Sequence, residues 1–289
     1  MSIKRNILVG IDFSKSSIEV LKRAFNLVKL TGAKLTIVHA IDKGLFDKYF
    51  SSSNNEKLIT KAKENIEKII TNLQEKNIEY SIVVQISTPT SLIIDMAKEI
   101  NPSLIVVGVN SIDNFKTKVF GSTSVKIIQN TKLPVLIVKN NCEKDYKDIL
   151  AFTDLSPISL KSINFTKEFF ENSNLKVIHA YKQVNDFTLT FHDSLEHKKE
   201  IQEDITKKAK ERFEEFKKVN KITNSELIEV YNGISEVLLS KTEEENKDLV
   251  VLGSNGVNNA DSFLYGSIAL FMMENVKNDI LIYVPDEVE

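Results

Sequence analysis

The feature that most constrains this chain is that it contains itself twice. Ile7-Leu8-Val9-Gly10-Ile11-Asp12-Phe13-Ser14 returns as Ile149-Leu150-Ala151-Phe152-Thr153-Asp154-Leu155-Ser156, and Ile37-Val38-His39-Ala40 returns as Val177-Ile178-His179-Ala180. Leu104-Ile105-Val106-Val107-Gly108 returns as Leu249-Val250-Val251-Leu252-Gly253, and Gly121-Ser122 as Gly266-Ser267. Four blocks in one order, each displaced by about 140 to 145 residues, mark a duplicated domain. The polar stretch from Asn140 to Lys147 separates the copies, and places domains at 1–142 and 143–289. With 289 residues, each copy is long enough to bury its own core.

Within each copy, short apolar runs alternate with longer segments of helical period, the signature of βα units on a parallel sheet. The runs predict strands near 5–11, 34–39, 80–86, 104–108 and 134–138, then 148–153, 175–180, 226–231, 248–253 and 279–284. Ser16 to Thr31 puts Ile18, Leu21, Ala24, Phe25 and Val28 on one helical face; Lys57 to Glu75 does so with Leu58, Ala62, Ile66, Ile69 and Leu73. Shorter helices near 90–100 and 122–130 complete the first copy, and the charged segment from 194 to 220 reads as a solvated helix in the second. The expected fold is α/β: two tandem, doubly wound, five-stranded parallel-sheet domains. The strands 134–138 and 279–284 would each leave an unpaired edge, and pairing them within one chain gives an intramolecular pseudo-dimer.

Charge and composition exclude several classes. Lys plus Arg total 38 against 40 Asp plus Glu, so no basic excess is present to neutralise a nucleic-acid backbone. No run approaches the ~18 apolar residues of a membrane span, and no signal h-region is seen. The single cysteine, Cys142, cannot form an internal disulfide, and four histidines without a Cys-x-x-Cys pattern supply no zinc set. The expectation is a cytoplasmic chain with no nucleic-acid, membrane or metal site.

The nine glycines are few enough to read by position. In the second copy Gly233, Gly253, Gly256 and Gly266 all fall at the carboxyl ends of predicted strands or at the start of the following helix. That edge of an open parallel sheet is where ligands bind. Glycine lets a backbone N–H approach a phosphate, and Gly266-Ser267 opens the apolar helix that continues with Ile268, whose free N–H groups favour an anion. Taken singly, each glycine is equally an ordinary turn residue and Ser267 an N-cap.

On these residues the chain resembles the universal stress protein family, in its tandem form. The nucleotide-binding form of that family has Gly, two residues, Gly, nine residues, then Gly followed by Ser or Thr. The second copy carries it as Gly253-Ser254-Asn255-Gly256, Val257 to Tyr265, and Gly266-Ser267. The first carries Gly108-Val109-Asn110 with Ser111 in the second glycine's place, Ile112 to Phe120, then Gly121-Ser122-Thr123. The resemblance covers essentially the whole chain, because the Asp-Phe-Ser and Asp-Leu-Ser turns and Pro134-Val135-Leu136-Ile137-Val138 share it. It implies strand order 3-2-1-4-5 and ATP where strands one and four part, with Mg²⁺ as a companion ion. Carried over by residue, Asp154 would contact the nucleoside and the Ala180 backbone the adenine. Gly253, Gly256, Gly266, Ser267 and Ile268 would line ribose and phosphates. Their first-copy counterparts are Asp12, Ala40, Gly108, Ser111, Gly121, Ser122 and Thr123.

The copies are not equivalent. Ser111 adds a Cβ where positive φ is wanted, and Ser87 is expected to stand where Gly233 does. The first-copy spacer brings Lys116 and Lys118, the second Asp261. Steric fit favours the second copy as the nucleotide site. No P-loop, Gly-x-Ser-x-Gly or kinase motif is present, so dedicated catalysis is not expected beyond slow ATP hydrolysis. Asp12 and Asp154 equally read as turn aspartates, and His39 and His179 as packed, satisfied rings. Three readings stand: a nucleotide-binding stress-response protein regulating conformation or an unidentified protein partner, with homodimers in view; a scaffold without nucleotide; or a binder of another small or lipid-like molecule in the first copy.

Overall fold

The computed structural model describes residues 6–42, 55–75, 78–109, 122–184, 195–254 and 267–284, with backbone alone at 122 and 195–198. By packing these fall into two compact units, 1–145 with 279–289, and 146–278.

In the first unit β1 (Asn6–Gly10) buries Ile7, Leu8 and Val9 completely, as a strand covered on both faces must. It pairs in parallel with β2 (Lys34–Ile41) on one side, Val9 opposite Ile37, and with β4 (Leu104–Gly108) on the other, Val9 opposite Val106. β3 (Tyr80–Ile86) lies outside β2 and β5 (Val135–Val138) outside β4, so the order is 3-2-1-4-5 as expected. Helix α1 (Lys15–Thr31) starts where the Ser14 hydroxyl accepts from the Ser17 N–H, and stops at Gly32, whose φ of 65° lets its N–H reach Val28 O. It buries Leu21, Ala24, Phe25 and Val28. Helix α2 (Asn55–Asn72) buries Ala62, Ile66 and Ile70, a face turned by one residue from the expected one through Ile69. Helix α3 (Pro89–Ile100) begins with proline after the Thr88 cap, and α4 (Ser122–Asn130) precedes β5.

The second unit repeats the plan with β6 (Asp148–Thr153) between β7 (Asn174–Lys182) and β9 (Leu249–Gly253), and β8 (Ser225–Val230) outside β7. Its helices are α5 (Pro157–Phe169), the 25-residue α6 (Leu195–Val219), α7 (Ile234–Glu244) and α8 (Ser267–Asn275). The last strand, β10 (Asp279–Tyr283), belongs to the second copy in sequence but packs with the first unit, where it runs antiparallel to β5 with Leu281 opposite Leu136. The edge pairing expected of 134–138 and 279–284 is therefore present.

A buried charge cluster fixes β10 there. Asp279 is 1% exposed, and its Oδ1 accepts from the Lys139 and Asn140 N–H groups at 2.7 and 3.0 Å and from Asn140 Nδ2 at 3.1 Å. Its Oδ2 lies 3.7 Å from Nε of buried Arg23 on α1, whose Nη1 donates to Lys144 O. Repeat equivalence puts Phe165 where Arg23 stands, so this cluster is a property of the first unit alone.

Candidate functional site

Each unit has a crevice at the carboxyl end of its sheet, where the first strand parts from the fourth. In the first, the chain leaves β1 through Asp12, whose Oδ1 accepts from the Ser14 N–H at 3.0 Å and from the Ser14 hydroxyl at 2.6 Å. Phe13 between them has φ 63°. In the second, Asp154 Oδ1 accepts from the Ser156 N–H at 3.0 Å and Leu155 has φ 64°. A left-handed residue with a Cβ is uncommon, and here the same one recurs in both copies. The aspartate turns bridge strand to helix cap, and both carboxyl groups also border a crevice.

A histidine holds each turn from beneath. His39 Nδ1 lies 2.9 Å from Ile11 O, and His179 Nδ1 lies 2.8 Å from Thr153 O. A carbonyl oxygen only accepts, so Nδ1 carries the proton and donates. Burial pushes both imidazoles below their ordinary pKa; the carbonyl bonds and the Asp12 and Asp154 charges oppose this without overcoming it. Both rings are neutral at neutral pH. The Phe13 ring lies 4.1 Å from His39, tilted by 48° to it, and the Phe213 ring of α6 lies 5.7 Å from His179. Thr153 adds a brace peculiar to the second unit: its hydroxyl accepts from the Leu155 N–H and bonds the Ser159 hydroxyl at 2.8 Å.

Of the residues singled out in the second copy, Asp154, Ala180, Gly253, Ser267 and Ile268 border one cavity of about 290 Å³. In the first copy, Asp12, Ala40, Gly108 and Thr123 border a cavity of about 140 Å³. Gly256, Gly266, Ser111 and Gly121, with Lys116, Lys118 and Asp261, lie outside the described residues, and Ser122 is described only as the first residue of α4. The first turns of α4 and α8 reach the crevices through Thr123 and Ser124 and through Ser267, Ile268 and Ala269, so the N-terminal end of a helix, where backbone N–H groups lack intrahelical acceptors, stands at each. Among the described lining residues neither crevice has a lysine or arginine, and among the described residues no three His, Cys, Asp or Glu gather to hold a metal.

The structure adds a second role for Gly253 and moves the counterpart of Gly233. Gly253 is needed for packing: a Cβ there would lie 3.1 Å from Ser159 Cα and 3.2 Å from its N, the first turn of α5. Gly233 is the N-cap of α7, so its counterpart is Thr88, the N-cap of α3, and not Ser87. Sequence reasoning passed over the apolar floor of the second cavity, Phe152, Ile178, Leu238 and Leu252. The signal for it lay in the repeat itself, which sets Phe152 against Gly10.

Fold and crevices define a tandem doubly wound α/β protein with one strand-end crevice per repeat. The chain belongs to the universal stress protein family, whose sequence profile matches residues 4–139 and again residues 145–284. It is similar to a Staphylococcus aureus (strain USA300) protein named as a universal stress protein, at 29% identity over 158 residues, which span 52% of this chain and 94% of the relative. Among solved structures, a universal stress protein from Archaeoglobus fulgidus superposes with a TM-score of 0.72 at 17% identity, covering 96% of this chain and 98% of its own. A Pseudomonas aeruginosa PAO1 protein titled as functionally unknown does so with 0.69 at 17% identity, covering 98% and 93%. At such identities the likeness speaks for the fold. Among the described residues no helix is long and apolar enough to cross a membrane.

Proposed function

We propose that this protein binds adenine nucleotide, ATP, in the crevice of its second unit, and that occupancy regulates its conformation or its protein partners. The observation that carries the reading is the convergence of Asp154, Ala180, Gly253, Ser267 and Ile268, from four separate segments, on one cavity of about 290 Å³. That volume is near the lower end of small-molecule sites, roughly 300 Å³ and up, and suits a base with its sugar. The phosphates then extend toward the first turn of α8, where backbone N–H groups and the helix dipole receive negative charge. The single carboxylate of Asp154 leaves a Mg²⁺ ion held chiefly by phosphate and water, as this ion commonly is. The reading is of a cytoplasmic binder without dedicated catalytic machinery, built of domains 1–142 and 143–289 that form a pseudo-dimer, two chains being able to associate further.

The test is mass spectrometry of whatever acid releases from protein purified without added nucleotide, beside Gly256→Val and Ser111→Gly variants. Adenine nucleotide in the wild type and none in Gly256→Val is the expected result. No nucleotide in any preparation, and none taken up at millimolar ATP, overturns it and leaves a scaffold of the same fold.

A further inference from the structure

The floors of the two crevices differ at one repeat position. β1 ends in Gly10, where a Cβ would lie 2.7 Å from Ile93 Cδ1 and 3.7 Å from Val107 Cγ1, so the Ile93 side chain of α3 already fills the space above the strand end. In the second unit that position is Phe152, 4% exposed and facing the cavity. The counterpart of Ile93, five residues past the helix cap in each copy, is Leu238 of α7, which faces the same cavity. Among the described residues that line either crevice Phe152 is the one aromatic side chain. The first cavity is therefore small and wholly aliphatic in its floor, and the second is about 290 Å³ with an aromatic wall.

A planar heterocycle gains from such a wall in a way that a sugar or a phosphate does not. Aromatic pairs contribute beyond the area they bury, and base stacking on an aromatic side chain is worth roughly 1–3 kcal/mol. We infer that Phe152 is the specificity-determining residue of the second crevice, the wall against which the heterocyclic base of the ligand packs, and that the Gly10–Ile93 contact denies the first crevice such a ligand. This deepens the nucleotide reading above and rests on it for the phosphate part of the ligand, but not for the base.

The experiment compares full-length wild type with Phe152→Leu, a swap that keeps hydrophobic bulk and removes the ring. Each is titrated with ATP, with the fluorescent nucleoside of 2-aminopurine, and with pyrophosphate. Expected is one 2-aminopurine nucleoside per chain, weakened about tenfold in Phe152→Leu together with ATP, while any pyrophosphate binding is unchanged. Equal ATP and nucleoside affinity in the two proteins overturns the inference and leaves the nucleotide reading standing. So does a stoichiometry of two, which would mean that a crevice without the ring takes the base equally well. Nucleoside binding that needs Phe152, without ATP binding, upholds the inference and ends the nucleotide reading; no binding of any probe ends both. Thermal melts check that Phe152→Leu is folded, and Phe152→Met replaces it if it is not.

Discussion

Around Asp12 the crevice has a volume of about 140 Å³ and is closed from below by Ile93; around Asp154 it has about 290 Å³ and Phe152 and Leu238 form its floor. The backbone that frames them is the same. Each has a left-handed residue after its aspartate, a serine cap three residues before another serine, and a histidine bonded to the carbonyl of the residue before that aspartate. Duplication has thus kept the parts that set backbone direction and changed those that set volume and packing. The units also differ in what anchors them, since the buried Arg23–Asp279 pair exists only in the first.

That last difference supports the largest expected effect. Replacing Asp279 by alanine leaves Arg23 charged and buried and removes the acceptor of three hydrogen bonds, a loss of about 3–5 kcal/mol for a broken buried pair. Hydrogen exchange should then quicken in β1 and β4 and stay as it was in β6 and β7. Equal quickening in both units would show that the cluster does not belong to the first alone. Next comes Gly253→Ala, whose methyl meets the α5 backbone at Ser159 Cα, 3.1 Å away, and at Ser159 N, 3.2 Å away, with Ile158 Cγ2 also at 3.2 Å, so that the helix backbone itself must give way. A cost of about 1–3 kcal/mol, confined to the second unit, is expected in urea unfolding. Among the described residues the counterpart Gly108→Ala meets only Val20 Cγ2, at 3.0 Å, and turning that side chain costs about 1 kcal/mol. A larger effect at Gly108 than at Gly253 would reverse the packing argument.

Where the units are alike, their responses should match. The Ser14 and Ser156 hydroxyls each accept an N–H three residues on at 3.2 Å, so Ser14→Ala and Ser156→Ala should each cost about 1 kcal/mol. Unequal costs would show that the shared turn is braced differently, with Thr153 as the first suspect, because its hydroxyl bonds both Leu155 N–H and Ser159.

The inner strands were legible in the sequence because a strand buried on both faces is a continuous apolar run, whereas the outer β3 and β8 are half-exposed runs that mix apolar with polar residues; all ten lie within two residues of the expected positions. The edge pairing of β5 with β10 was legible for a different reason: two unpaired edges in one chain have an obvious solution. The reason for Gly253 was not, because the backbone it clears belongs to a helix almost a hundred residues earlier, and local pattern carries no record of such approaches. The Arg23–Asp279 pair was hidden likewise, its members standing at opposite ends of the chain among many other charges. His39 and His179 could be placed at equivalent strand ends, but their carbonyl partners, Ile11 just past β1 and Thr153 at the end of β6, stand 28 and 26 residues earlier in the chain. Phe152 opposite Gly10 was readable in the repeat alignment and became meaningful only once both positions were known to border a cavity.

The smallest expected effect concerns those histidines, and it also tests how alike the units are. Both rings are held below the ordinary value of 6.5 in the folded chain, chiefly by burial. As pH falls through that value the unfolded chain takes up a proton at each site before the folded chain does, so stability is full above it and declines below it. The carboxylates Glu226 and Glu244 are held below 4.5 by their lysine partners, so their contribution is lost only at lower pH. Between about pH 6.5 and pH 5 the decline thus belongs mainly to the two histidines. Each faces its own turn aspartate, and His179 also feels Arg212, whose charge further disfavours the imidazolium. Urea midpoints should fall on acidification through this window in both units. The variant His39→Asn, His179→Asn keeps an N–H donor for each carbonyl and nothing that titrates, and should flatten the curve. A decline that persists in that variant would locate the titrating groups elsewhere and remove the histidines from the account.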